Sequence, residues 1–228
     1  MKAEHLHALQ AAAAQRIPVA FATRLPDGTA FILPDPAAPQ ALALEAATML
    51  AADKTGMVTI GAEDWFIESR NPAPRAIIVG AVHIAQSLAP LAATMGFDVV
   101  VVDPRRAFAS ADRFPGVVTR TDWPDEALQA LRPDARTAII TLTHDPKLDD
   151  PALIAALATD AFYIGSLGSR KTHAARLDRL REAGLTEAAL ARICAPVGLD
   201  IGAVTAPEIA LSVIAQMVAA RRGKPTRA

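Results

Sequence analysis

Cysteine is nearly absent. The 228-residue chain has one, Cys194, which excludes an internal disulfide and any Cys-x-x-Cys zinc or iron–sulfur ligand set and makes a reducing compartment the expected setting. An excess of charge is also missing. Lys plus Arg number 23 against 24 for Asp plus Glu, so the cation surplus on which sequence-independent binding to phosphate backbones rests is lacking, and no nucleic acid is expected as a partner. No unbroken apolar stretch opens the chain, because Glu4, His5, His7 and Gln10 interrupt the first alanines. No export signal is therefore expected. The most apolar window, residues 76–97, is broken by His83, Gln86, Ser87 and Pro90, so no membrane span is expected and the protein is assigned to the cytoplasm. What the chain does have is apolar content: 52% of its residues are hydrophobic. A chain of this length buries roughly 70% of its unfolded surface, which excludes intrinsic disorder and removes the need for a disulfide or metal staple.

The pattern changes at Arg70-Asn71-Pro72-Ala73-Pro74-Arg75, where alternate prolines favour an extended connection. Residues 1–70 read as a small α+β domain. Helical spacing covers 2–15 and 39–52, the runs 19–23 and 29–33 flank a Pro26-Asp27-Gly28 turn, and 57–60 with 65–68 form a second hairpin. Residues 75–228 read as α/β, a three-layer parallel sheet. The runs 76–79, 99–102, 137–141 and 162–164 are too apolar for half-exposed strands, 117–118 adds a shorter one, and helical segments (82–95, 125–131, 151–158, 171–183, 187–193, 207–222) alternate with them. Alanine-rich amphipathic helices leave a homodimer open.

Ligands of an open parallel sheet bind beyond the carboxyl ends of its strands, so the residues just after each run are the candidates for a site. After the first run come Gly80, Ala81, Val82 and His83, in the place of a dinucleotide fingerprint, with Asp103 closing the second run where a ribose ligand belongs. Val82 stands where the second glycine would let a pyrophosphate approach, which counts against NAD(P). The alternative is a plain strand-to-helix turn. His83 can bond a ligand near the helix N-terminus or cap local backbone, and Arg105 beside Asp103 offers a guanidinium to phosphate or belongs to a solvated turn. After the 137–141 run come Thr143, His144 and Asp145, with Asp149 and Asp150 further on. Adjacent His144 and Asp145 lack the i, i+4 spacing of a zinc motif, so these residues are read as a ligand-binding loop and no metal is assigned.

The strongest anion signal is Gly165-Ser166-Leu167-Gly168-Ser169-Arg170-Lys171, between a buried run and a helix. Glycines allow close backbone approach, while the helix N-terminus, two hydroxyls and two cations favour negative charge. A glycine turn with Ser169 as N-cap is the plainer reading. His173, Arg176, Arg179 and Arg181 continue as a solvated helix face or a docking surface. Cys194, among apolar neighbours, reads as packing. Thr205 and Glu208 form a capping-box pattern, whereas Asp200 either faces the ligand edge or closes a turn.

Taken together these segments resemble the XdhC/CoxI family. The likeness rests on residues 75–80 with His83 and Ala85, on Asp103-Pro104-Arg105, on Leu142-Thr143-His144-Asp145, on Tyr163-Ile164-Gly165-Ser166-Leu167-Gly168-Ser169-Arg170, and on Pro196-Val197-Gly198-Leu199-Asp200-Ile201-Gly202-Ala203 followed by Thr205 and Glu208. The resemblance implies a Rossmann-like domain over residues 75–228. It also implies a chaperone or insertion factor that binds molybdenum cofactor (molybdopterin), cooperates with a cysteine desulfurase, and hands the cofactor to an apo molybdenum hydroxylase of the xanthine dehydrogenase kind. Under that reading Arg170 and Lys171 neutralise the pterin phosphate, and His144, Asp145 and Asp200 orient its polar edges. The family's glycine-cysteine segment is missing from residues 1–74. Two rivals stand beside this reading: an NAD(P)-dependent oxidoreductase or nucleotide sensor built on Gly80, Asp103 and Arg105, and a ligand-free adaptor.

Overall fold

A computed structural model describes residues 2–25 and 27–225; Pro26, expected in the first hairpin turn, lies outside them. The chain divides into two compact units, Met1–Pro72 and Ala73–Ala228.

In the first unit, helix α1 (Ala3–Ala14) precedes strands β1 (Val19–Leu25) and β2 (Ala30–Leu33), helix α2 (Gln40–Ala51), and strands β3 (Gly56–Ile60) and β4 (Glu63–Arg70). The four strands form an antiparallel sheet in the order β2-β1-β4-β3. Alternation along β1 explains how it serves two helices. Ala20 and Ala22 join Leu42, Ala46 and Met49 of α2 around the buried Trp65, while Val19 and Phe21 on the other face pack with Leu9 of α1.

The second unit is α/β. Its elements run β5 (Arg75–Val79), α3 (His83–Thr94), β6 (Asp98–Val102), β7 (Val118–Arg120), α4 (Pro124–Leu131), β8 (Thr137–Thr141), α5 (Pro146–Leu157), β9 (Tyr163–Ser166), α6 (Arg170–Glu182), α7 (Glu187–Leu190), β10 (Ile193–Cys194) and α8 (Ala206–Arg221). The six strands are parallel in the order β10-β9-β8-β5-β6-β7. This is the doubly wound Rossmann order, with its reversal between β5 and β8. Alternation again divides the core. Ala76 and Ile78 face the layer that contains Leu88 of α3 and Val213 of α8, and Ile77 and Val79 face Leu128 of α4 and Leu153 of α5. No helix among the described residues is long and apolar enough to cross a membrane.

Three expected boundaries move, each for a local reason. The helix expected over 151–158 begins at Pro146, because the Asp145 carboxylate accepts the Lys147 amide at 3.0 Å and a proline is well placed in a first turn. The helix expected over 187–193 stops at Leu190, since Ile193 and Cys194 pair in parallel with Ile164 and Gly165. Gly165 and Ser166, expected in a turn, belong to β9, in register with Ile140 and Thr141.

Candidate functional site

The expected residues gather in two neighbouring groups along the carboxyl edge of the sheet. The first lies at the strand-order reversal. Gly80 follows β5 with φ +105°, and a Cβ there would come within 2.6 Å of Thr143 Cγ2 and 3.2 Å of the Thr143 amide nitrogen. The loops after β5 and β8 are therefore in van der Waals contact, and only glycine suits both the dihedral and the space. Val82 is the N-cap residue of α3 without a side-chain capping bond, and His83 is exposed at the first helical position.

Asp103 directly follows β6 with no solvent exposure, and its carboxylate is occupied by the chain itself. One oxygen accepts the Ala81 amide at 2.9 Å and Arg105 Nη2 at 2.7 Å, and the other accepts the Arg105 amide and Nε at 3.0 and 2.8 Å. Burial raises the carboxyl pKa, but the Arg105 guanidinium and the two amides outweigh it and hold the group below the ordinary aspartate range. Arg105 lies over Phe108, 4.3 Å from the ring centroid. The Ala81 amide, a backbone donor of the Gly80 turn, is thus already engaged.

Thr143, His144 and Asp145 fold around Asp149, which the sequence placed in the same polar cluster but which is buried at the centre of the loop. Its buried carboxylate accepts Thr143 Oγ1 at 2.7 Å, the Thr143 amide at 3.3 Å and the His144 amide at 3.0 Å. His144 itself is exposed with φ +62°. Asp149 and Asp150 differ sharply in role, for Asp150 forms a two-point pair with Arg179 at 2.5 and 3.0 Å.

The second group surrounds a cavity of about 440 Å³ beyond the ends of β9 and β10. Its walls include Leu167 from the β9–α6 loop, Arg170 from the start of α6, Cys194, Asp200 from the following loop, and Ser212 and Gln216 from α8. Gly165 and Ser166 lie behind this cavity and not in it. A Cβ on Gly165 would meet Val197 at 2.6 Å and the Tyr163 hydroxyl at 2.7 Å, and the buried Ser166 hydroxyl shares a 2.6 Å hydrogen bond with Thr141. Gly168 and Ser169 form the turn. Ser169 caps α6 by accepting the Thr172 amide at 3.1 Å, which leaves the Arg170 and Lys171 amides at the positive end of a 13-residue helix with both side chains exposed.

Gln216 fixes another part of the lining. Its carbonyl oxygen accepts the Tyr163 hydroxyl at 2.5 Å and the Gly198 amide at 2.8 Å, anchoring the 196–203 loop to α8. Thr205 and Glu208 are fully explained by a capping box. Ser212 and Gln216 escaped sequence reasoning; their signal is a polar pair at i, i+4 in an otherwise apolar helix. Among the described residues no three His, Cys, Asp or Glu side chains are placed to hold a metal ion.

A sheet in Rossmann order, with a cavity beside a helix N-terminus at its carboxyl edge, defines an α/β domain of the Rossmann kind. The chain belongs to the XdhC family, whose Rossmann-domain model matches residues 76–217. Among curated relatives, it is 36% identical over 150 residues to the molybdenum cofactor insertion chaperone PaoD of Escherichia coli, covering 66% of this chain and 41% of that one. It is 34% identical over 158 residues to a probable xanthine dehydrogenase subunit of Bacillus subtilis, covering 69% and 46%. The chain thus spans less than half the length of these relatives. A solved structure described as a xanthine dehydrogenase from Bacillus halodurans shares the fold at a TM-score of 0.70 and 22% identity, over 97% of this chain and 65% of that one.

Proposed function

We propose that this protein is a cytoplasmic maturation factor that binds molybdenum cofactor as cargo and delivers it to an apo molybdenum hydroxylase of the xanthine dehydrogenase kind. The observation that carries the reading is the cavity at the α6 N-terminus, which Arg170 and Asp200 both line. A pterin phosphate is an anion that the α6 amides and the Arg170 and Lys171 cations suit, and the pterin edge carries N–H donors that Asp200 can accept. His144 and Asp145 lie on the neighbouring loop. Membership of the XdhC family and the likeness to a molybdenum cofactor insertion chaperone support the same cargo. A cysteine desulfurase as sulfur donor and a homodimer belong to this proposal as further partners.

The test is anaerobic purification from a host that makes the cofactor, with released pterin, molybdenum and NAD(P) assayed per chain. Near-stoichiometric pterin is expected. Arg170→Ala with Lys171→Ala should lower retention roughly tenfold or more, the worth of a charge-assisted hydrogen bond, without changing the melting temperature. Bound nucleotide without pterin would overturn the proposal in favour of an NAD(P)-dependent oxidoreductase or nucleotide sensor. That rival draws on the Rossmann strand order and on Asp103 just after β6; Val82 and the engaged Ala81 amide weigh against it.

A further inference from the structure

Among the described residues, α6 buries a cation outside the cavity lining. Arg176 lies in the second turn of α6 and is 2% exposed. Helical side chains lean toward the N-terminus, and this one reaches past the start of its own helix: Nη2 donates to the Leu167 carbonyl at 2.9 Å. The same nitrogen lies 3.6 Å from an oxygen of Asp149, itself 1% exposed. A Cβ on Gly168 would stand 3.7 Å from that nitrogen, so the guanidinium sits directly beneath the turn. Nε and Nη1 are buried without a hydrogen-bond partner.

Such an arrangement is costly. Buried ion pairs are often no more stabilising than apolar residues of similar volume, and unmatched buried donors add to the expense. Burial pushes the Arg176 guanidinium down and the Asp149 carboxyl up, each partly countered by the other. Retaining the pair therefore calls for something beyond stability, and its contacts indicate what that is. Asp149 gathers Thr143 and His144, Arg176 gathers Leu167, and these residues open the loops after the neighbouring strands β8 and β9.

We propose that Arg176 is a positioning residue: by holding Asp149 and Leu167 together it couples the β8–α5 loop to the β9–α6 loop and sets a fixed positive charge beneath the anion end of the cavity. The charge role rests on the cargo reading above, whereas the coupling does not. Amide hydrogen exchange on the full chain without cargo tests the coupling. Arg176→Met, which keeps the volume and loses the charge, should raise exchange at the Thr143 and His144 amides roughly tenfold; Arg176→Lys should recover most of the protection. A packing role predicts the reverse order, with Met at least as protective as Lys, and that result would overturn the proposal. Should Arg176→Met fail to fold, Asp149→Asn decides. Coupling is reciprocal, so that variant should raise exchange at the Leu167 amide, which donates to the Thr141 carbonyl at 2.9 Å, and unchanged exchange there refutes it. Pterin retention, measured in parallel, should fall in Arg176→Met by a similar factor. A wild-type chain that retains no pterin sinks the cargo reading and leaves the exchange data to judge the coupling.

Discussion

Gly80→Ala is the sharpest probe of how the two loops at the strand-order reversal meet. The substitution has two separable costs. At φ +105° a residue with a Cβ is strained by about 1–3 kcal/mol. The new methyl would also stand 2.6 Å from Thr143 Cγ2, and overpacking of this kind adds about 1–3 kcal/mol. Thr143 cannot swing aside cheaply, because its hydroxyl is tied to Asp149 at 2.7 Å. The sum is about 2–6 kcal/mol, which for a chain of this size lowers the melting temperature by roughly 4–24 °C. Differential scanning calorimetry measures it. The second substitution separates the costs: Gly80→Ala with Thr143→Ser removes Cγ2 while keeping the hydroxyl, and should regain most of the overpacking part and leave the dihedral part and the 3.2 Å approach to the Thr143 amide nitrogen. A Gly80→Ala variant that melts within a degree of the parent, or a double variant that regains nothing, would refute the close approach described above.

Gln216→Leu should leave the Tyr163 hydroxyl and the Gly198 amide without their acceptor, at about 1–3 kcal/mol for each buried donor; limited proteolysis should then cut first within residues 196–203, and a protease pattern unchanged from the parent would contradict that anchoring. Asp103 sets a pH dependence of definite sign. Its folded pKa lies below the ordinary aspartate value, so it contributes stability above about pH 4, the unfolded range, and loses it as pH falls through the folded value. The melting-temperature advantage of the parent over Asp103→Asn should therefore be flat at neutral pH and shrink in acid; an advantage that grows on acidification would be the wrong sign.

Legibility in the sequence follows burial. The strands of the parallel sheet could be read because burial on both faces demands continuous apolar runs, as in Ile77-Ile78-Val79. Their order could not, since the β5–β8 pairing is a choice between distant segments that periodicity does not encode. Asp149 and Asp150 are equivalent as letters; the direction of successive side chains on α5 buries the first and leaves the second to pair with Arg179 near the surface. Arg176 was expected on a solvated face, because nothing in the composition of α6 shows that its side chain turns back under Leu167. Ser166 was expected to present its hydroxyl to an anion, and a strand two residues longer than the apolar run gave it to Thr141 instead. Glycine, by contrast, marked loop positions faithfully at Gly80 and Gly168 while leaving open what approaches them.

The carboxylate of Asp103 makes the switch-point turn self-liganded. An incoming phosphate would find at Ala81 a resident anion tethered to the same sheet, and an intramolecular competitor acts at a very high effective concentration. Binding there becomes eviction, and its apparent affinity falls by whatever the resident is worth. Occupancy, and not shape alone, therefore limits what that turn can bind.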